Sequence, residues 1–459
     1  MRLHWFGIVI LLVAGWVLVH DLTAWKDVEF GDETTYLGSG LSFSIPFKGG
    51  AQWGPLYAAW YAFWHLFIPN TLDLYYFNWA ILSVLAGVAV FLFLRSQQVS
   101  FGVSVWLAVL FLFSNQNLPL NPKISIAPFS LILAVLTVFY FYQWAYWKRF
   151  LLVAFTGLVC AYFRPEFYIS FLLGCVLAIG WAWKEKIGYK QKNGLIIGIF
   201  IGAIVMLHLL FDNPLFSGDS SRSAVAFQQH FVINYCAWTH LPEPITIETQ
   251  LQLFHQVLGK EVETFTDALK MQPSWALKHI FTNLTHTLTA NFDNVFDTFY
   301  QTLFRGWYSR WRMVVVMVLC LGLLSWIDYR TTWRNIRQKQ IDWWGGIALI
   351  VLLFPTLIAT ILIYPRTHYL IFHLILILWL VAFVVNRLSF KKWPFFIAVA
   401  LPYLVSISVL LFILIRFSDY HLSAPTPAAD NIRFITKLNP KERLRILERH
   451  WHCFSQKTL

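Results

Sequence analysis

Between Trp343 and Ile363 the chain runs for a full helical membrane crossing without one charged side chain. About 20 such residues suffice to span the hydrocarbon core of a bilayer. Runs of this kind recur along the 459 residues. A soluble domain is roughly a quarter charged, whereas Asp, Glu, Lys and Arg make up 13% of this chain and hydrophobic residues 58%. That composition excludes an ordinary soluble enzyme, a disordered chain and a collagen-like fibre.

The apolar runs predict an all-α polytopic integral membrane protein with about eleven transmembrane helices, at 4–20, 76–94, 101–114, 126–147, 150–163, 167–183, 194–211, 313–328, 343–363, 367–386 and 394–416. His20-Asp21 follows the first run without a small-residue cleavage site, so a retained first helix is expected rather than a signal peptide. The net charge of +12 needs no nucleic acid to explain it, because cytoplasmic loops of membrane proteins gather Lys and Arg. With the N-terminus inside, the inside loops hold Arg95, Lys148, Arg149, Lys184, Lys186, Lys190, Lys192, Arg330, Arg334, Arg337, Lys339, Arg387, Lys391 and Lys392. The short outside loops hold only Lys26, Lys48, Lys123, Arg164 and Arg366. Counting 51–68 as a further span would invert this asymmetry, so these residues are expected as an outside surface helix beginning at Gly54-Pro55.

The expected organisation is an N-terminal transmembrane module over 1–211, including a first outside loop at 21–75. A large extracytoplasmic helical loop follows at 212–312, then a C-terminal module at 313–417 and a basic tail at 418–459. Stretches 245–257 and 274–290 read as amphipathic helices of the large loop. No phosphate-loop, dinucleotide or HExxH motif occurs. Cys160, Cys175, Cys236, Cys320 and Cys453 form no Cys-x-x-Cys pair. No metal or cofactor is therefore expected.

Ionisable groups at a membrane edge are costly, so their placement is informative. Four polar clusters fall on one predicted side: Asp32-Glu33, Asn121-Pro122-Lys123, Arg164-Pro165-Glu166 and Tyr364-Pro365-Arg366-Thr367-His368-Tyr369. Asp32-Glu33 reads as a solvated acidic loop or acidic helix start, or as a catalytic base over the membrane surface. Arg164 is either an anchor at the interface or a planar fork for phosphate. The same alternatives hold for Arg366 and Lys123, while Glu166 is placed to orient Arg164. His65 reads as an interfacial histidine or a substrate contact. Arg222, Arg305, Arg310 and Arg312 read as solvated or headgroup-facing charges.

The order of these motifs carries a resemblance. Asp32-Glu33 with Tyr36 follows the first span. Gly54-Pro55-Leu56-Tyr57, Arg164-Pro165-Glu166 and Pro365-Arg366 with Tyr369 come after it. The set resembles membrane glycosyltransferases of the GT-C type, in particular protein O-mannosyltransferases and the aminoarabinose transferases of bacterial lipid A. The likeness covers about 1–417. It departs where Gly54 stands in place of a first proline and where Thr367-His368 is inserted. The loop SNQNLPLNPK also lacks a second acidic residue that could share a metal.

The resemblance implies an inverting transferase that moves a sugar from a polyprenyl-phosphate donor to an acceptor on the extracytoplasmic face. Asp32 and Glu33 would be catalytic, with Asp32 the general base. Arg164, Arg366 and Lys123 would hold the donor phosphate, and Glu166, Tyr36, Tyr57, His65, His368 and Tyr369 would contact substrate. The expected partners are the lipid-linked donor, an acceptor of unspecified class and membrane lipids, in a multi-pass plasma (inner) membrane protein. Two other functions fit the same sequence. A polysaccharide polymerase or ligase acting on a diphosphate-linked glycan would use Arg222, His230, His240 and Arg305 of the large loop. A transporter or flippase would need polar groups at mid-span.

Overall fold

The computed structural model describes residues 2–29, 31–47, 50–118, 120, 122–142, 144–186, 191–214, 222–244, 246–296, 327–338, 343–389 and 430. The described chain is all-helical. Seven stretches are long and apolar enough to cross a membrane: His4–Ala24, Thr71–Ser96, Lys123–Phe141, Pro165–Lys184, Asn193–Phe211, Trp343–Leu362 and Thr367–Val385. By helix length and hydropathy this is a multi-pass membrane protein.

The expectation of eleven spans is corrected. The run at 101–114 forms α6, Phe101–Leu112, and that at 150–163 forms α8, Tyr146–Ala161. At 1.5 Å per residue these reach about 18 and 24 Å, short of a core about 30 Å thick. The runs at 313–328 and 394–416 lie almost wholly outside the described residues, as do Arg305, Arg310, Arg312 and nearly all of the tail.

The bundle has two distinct ends. Helices α1 (Arg2–Val19), α5 (Thr71–Ser96) and α7 (Ile126–Phe141) pack together with α6. At one end the His4 ring meets Phe141 at 5.9 Å, and the Tyr146 backbone N–H donates to Glu185 at 3.0 Å. Arg95, Lys148, Arg149, Lys184, Lys186 and Arg387 belong to this end, as does the short helix α15, Tyr329–Gln338, tied to Arg387 through Asn335. The clusters singled out in the sequence lie at the other end. The charge asymmetry read from the loops is thus an asymmetry between the two ends of the fold.

Small residues let the helices approach closely, as membrane packing requires. Helices α8 and α9 (Tyr168–Lys184) form a tight hairpin. A Cβ at Gly157 would stand 2.5 Å from the Phe171 backbone nitrogen, and one at Gly174 2.7 Å from the Ala154 Cα. Gly157→Val should therefore cost about 1–3 kcal/mol through overpacking. It should also displace Arg164 at the hairpin tip, read as a lower unfolding midpoint in detergent.

At the motif-bearing end, α3 (Asp32–Leu41) packs on α4 (Pro55–His65), and a Cβ on Gly40 would meet Tyr61 at 2.4 Å. Helix α4 is too short to span, and it leaves Phe63, Leu66 and Phe67 exposed at its outer edge. It starts at Gly54 with φ +66°, a left-handed turn that glycine adopts without cost. A side chain there would also strike Ile124 and the Phe163 carbonyl.

Helix α10, Gln191–Phe211, returns the chain to this end, where the Tyr162 hydroxyl donates to the Asp212 carbonyl at 3.0 Å. Helices α11 (Arg222–Thr239), α12 (Ile247–Leu258), α13 (Phe265–Met271) and α14 (Pro273–Phe296) follow. Helices α12 and α14 are the two amphipathic helices expected from the sequence. A core of their own, with Phe227, Phe231, Phe254 and Ala276, holds this layer together. Helix α14 then runs on against α16 (Trp343–Leu362) and α17 (Thr367–Val385).

Candidate functional site

Asp32 and Glu33 are adjacent in sequence but point apart, since successive helical residues turn by about 100°. Asp32, the first residue of α3, is exposed. Glu33 is fully buried. Its Oε1 accepts the Tyr57 hydroxyl at 2.6 Å, the Tyr61 hydroxyl at 2.5 Å and Asn78 Nδ2 at 3.1 Å, while its Oε2 accepts the Lys123 backbone N–H at 2.7 Å. Tyr57 and Tyr61 can both reach one carboxyl because residues four apart share a helix face. Asn78 is itself oriented by Trp60, whose Nε1 donates to Oδ1 at 2.9 Å. Burial pushes the Glu33 carboxyl above its ordinary value, against these hydrogen bonds. Glu33 therefore knots α3, α4, α5 and the start of the third long span together, and it presents Asp32 on the other side of α3.

On that side three arginines converge from three separate parts of the chain. Arg164, 5% exposed, donates from Nε to Glu166 at 2.6 Å and from Nη1 to the Ser125 hydroxyl at 2.7 Å. Its guanidinium lies 4.2 Å from the Tyr369 ring centre. Arg222 donates to the Gln52 carbonyl at 3.0 Å and to the Tyr36 hydroxyl at 3.1 Å, and it stacks 4.7 Å from the Trp53 ring. Arg366 sits at the N-cap of α17. Burial works against its charge, Arg164 and Arg222 add repulsion, and Tyr369 and Asp32 oppose both. Arg164 and Glu166 already neutralise each other, so the cluster keeps an excess of positive charge that an anion would relieve.

Gln52, Arg164, Glu166, Arg222 and Tyr369 line a cleft of about 280 Å³ together with Ile169, Ala359 and Ile363, while Arg366 and Asp32 stand outside its lining. The lining combines cationic and aromatic side chains with apolar ones. That combination matches an amphiphile with an anionic head.

The remaining expected residues separate from the cleft to different degrees. His368 is buried against Tyr369, with ring centres 4.6 Å apart. Tyr57 serves the Glu33 knot. Lys123 is wholly buried. Its amine donates to the Asn117 carbonyl at 2.5 Å and faces the Trp79 ring at 4.7 Å, so it does not line the cleft. His65 ends α4, at the far end of that helix from the cleft wall at Gln52. Asn121 lies outside the described residues. Among the described residues no group of His, Cys, Asp and Glu is arranged to hold a metal ion.

Of the large-loop residues weighed in the sequence, Arg222 lines the cleft. His230 does not, and its ring lies 5.0 Å from that of Tyr364. His240, by contrast, stands in an exposed turn at φ +56°. The His279 ring nitrogen reaches the Ile363 carbonyl at 3.1 Å, and Asn283 Nδ2 donates to the Ile361 and Ile363 carbonyls at 3.0 Å. These bonds cap the last carbonyls of α16 just ahead of Arg366.

Burial pushes His230 down to about 3 and His279 down to about 4 from 6.5. Between pH 6.5 and these values the unfolded layer binds protons that the folded layer refuses, so stability falls as pH drops. Acidification from pH 7 to 5 should cost roughly 2 kcal/mol per histidine. Hydrogen exchange, corrected for its intrinsic pH dependence, should show α11 and α14 losing protection. His230→Phe should flatten that dependence.

No protein-family model, curated protein or solved structure matches the chain.

Proposed function

We propose that the protein is a membrane glycosyltransferase of the GT-C type that takes a sugar from a polyprenyl-phosphate donor and passes it to an acceptor hydroxyl. The observation that supports this most is the convergence of Arg164, Arg222 and Arg366 beside exposed Asp32, next to a cleft that Arg164 and Arg222 line together with apolar side chains. In the proposed reaction Asp32 takes the acceptor's hydroxyl proton as its oxygen bonds to the anomeric carbon. The bond from that carbon to the carrier's phosphate oxygen breaks, and its electron pair leaves with the phosphate. Negative charge grows on that leaving group, where fixed cations in a partly dry site are most effective. The apolar lining residues Ile169, Ala359 and Ile363 would take the start of the isoprenoid chain. The cationic opposite end of the bundle would face the cytoplasm, leaving the site on the extracytoplasmic side of the plasma (inner) membrane.

Carrier binding tests the phosphate site. Arg222→Ala should weaken binding of polyprenyl phosphate about ten- to a hundredfold, the range expected for a charge-assisted contact. Arg164→Lys keeps the charge but loses the fork, so a smaller loss is expected. Unchanged affinity in both variants would return these side chains to packing roles.

Arg222 comes from the 212–312 segment and lines the cleft, which favours a second reading. A polymerase or ligase acting on a diphosphate-linked glycan would use a third guanidinium for the second phosphate. Tighter binding of polyprenyl diphosphate than of the monophosphate, lost in Arg222→Ala, would select it.

A further inference from the structure

Helices α8 and α10 both start at the basic end of the bundle, and they face each other without interlocking. On α8, Lys148, Leu151, Leu152 and Phe155 follow at the spacing of one helix face. On α10, Ile196, Ile199, Phe200 and Ala203 do the same. Faces of this kind normally pack ridge into groove. Here they line an open groove of about 400 Å³, within the range of about 300–1,000 Å³ typical of pockets that hold small ligands. Helix α10 is accordingly the least buried of the seven spans, with 11% of its apolar stretch buried against 33–61% in the others.

Contacts at the motif-bearing end hold α10 in place. The Tyr168 hydroxyl and the His208 ring nitrogen lie 3.1 Å apart, and the Tyr162 and Phe211 rings meet at 5.5 Å. The groove lies in the other half of the helix. Phe155 and Ile199 remain exposed there, so the groove opens sideways to the bilayer. Among the side chains of its described lining, only the Lys148 amine and the Trp144 indole N–H are polar. An ordered water needs two to four polar partners. The apolar length of the groove suits an alkyl chain instead.

Both polar groups stand at the end of the groove nearest the basic end of the bundle, where α8 begins. Arg149 Nε donates to the Trp144 carbonyl at 2.7 Å and fixes that turn. Lys148 is half-buried, with its amine 5.3 Å from the Trp147 ring centre. Glu185, at the same end, accepts the Tyr146 backbone N–H at 3.0 Å, and no ion pair reaches Lys148 among the described residues. Tryptophan and lysine beside an apolar groove are the side chains that meet lipid headgroups. A cation without a counter-charge selects an anionic head.

We infer that this groove binds an anionic phospholipid from the leaflet at the basic end, with one acyl chain between α8 and α10 and the phosphate at Lys148. The site is separate from the arginine cleft, because about 20 Å of α8 lies between Lys148 and the hairpin tip that carries Arg164. The acyl chain supplies the packing that α8 does not give α10. Helix α10 in turn leads to Pro214 of the cleft lining, so the lipid steadies an element that borders the proposed site.

The test titrates dioleoyl phosphatidylglycerol or dioleoyl phosphatidylcholine into the full chain in neutral-detergent micelles and follows bound lipid by native mass spectrometry. Wild type should bind the anionic lipid about five- to tenfold more tightly, and its unfolding midpoint should rise with the concentration of that lipid. Lys148→Gln should lose most of the preference. Lys184→Gln, at the same end but outside the groove lining, should keep it. Ala203→Phe fills the groove, so it should lose the tightly bound lipid of either kind while unfolding no earlier than wild type in lipid-free detergent. Equal affinity of wild type for the two lipids overturns the site. So do equal losses in the two lysine variants, the mark of a diffuse surface charge, and undiminished lipid binding in Ala203→Phe.

Discussion

Asp32→Asn is expected to lower the rate of sugar transfer about 10²- to 10⁴-fold, the range typical for loss of a general base. The substitution keeps size and hydrogen bonding and removes only the proton acceptor. Asp32 is exposed at the start of α3 and lies outside the Glu33 knot, so folding should be unaffected. Donor affinity should change little, because the guanidiniums of Arg164, Arg222 and Arg366 would hold the phosphate. The signature is a fall in kcat with KM for donor nearly constant, which marks an interaction made only in the transition state. Turnover at the wild-type rate would remove Asp32 from the mechanism.

The second large effect is on stability. Glu33→Ala removes the acceptor for both tyrosine hydroxyls, Asn78 and the Lys123 backbone N–H. It also opens a cavity beneath α3. Breaking a buried polar network of this kind is expected to cost about 3–5 kcal/mol. Reversible unfolding in mixed micelles should register it as a shifted midpoint. Glu33→Gln keeps the shape and the three bonds at Oε1 but turns its amide N–H₂ toward the Lys123 backbone N–H, so it should cost less than Glu33→Ala. Because none of the hydrogen-bond partners of Glu33 lines the arginine cleft, Glu33→Gln should retain most of the activity that Asp32→Asn loses. Equal loss of activity in both would make Glu33 a participant in the chemistry.

The long spans were legible because an apolar run of about 20 residues has few other ways to bury itself. Helices α6 and α8 were over-read for the same reason, since an apolar run shows composition and not where the helix stops. The burial of the turn at Gln116 and Asn117 was not legible, because polar composition normally marks solvent. Here the polar groups meet Ser83 and α14, which are remote in sequence. The grouping of Asp32, Arg164 and Arg366 at one end followed from counting charges in loops. The inward turn of Glu33 had a readable signal in Tyr57 and Tyr61, four residues apart on one helix face. The approach of Arg222 to Tyr36 had none, because it bridges segments that no periodicity connects.

The most direct measurement of the central claim is release of free polyprenyl phosphate from polyprenyl-phosphate sugars by the purified protein in lipid. A crude membrane extract would serve as acceptor source, with Asp32→Asn beside wild type. The account predicts release from at least one donor, proportional to protein, and falling about 10²-fold or more in the variant. A folded protein that binds the carrier and releases phosphate from no donor, or releases it equally with Asn at position 32, would contradict it.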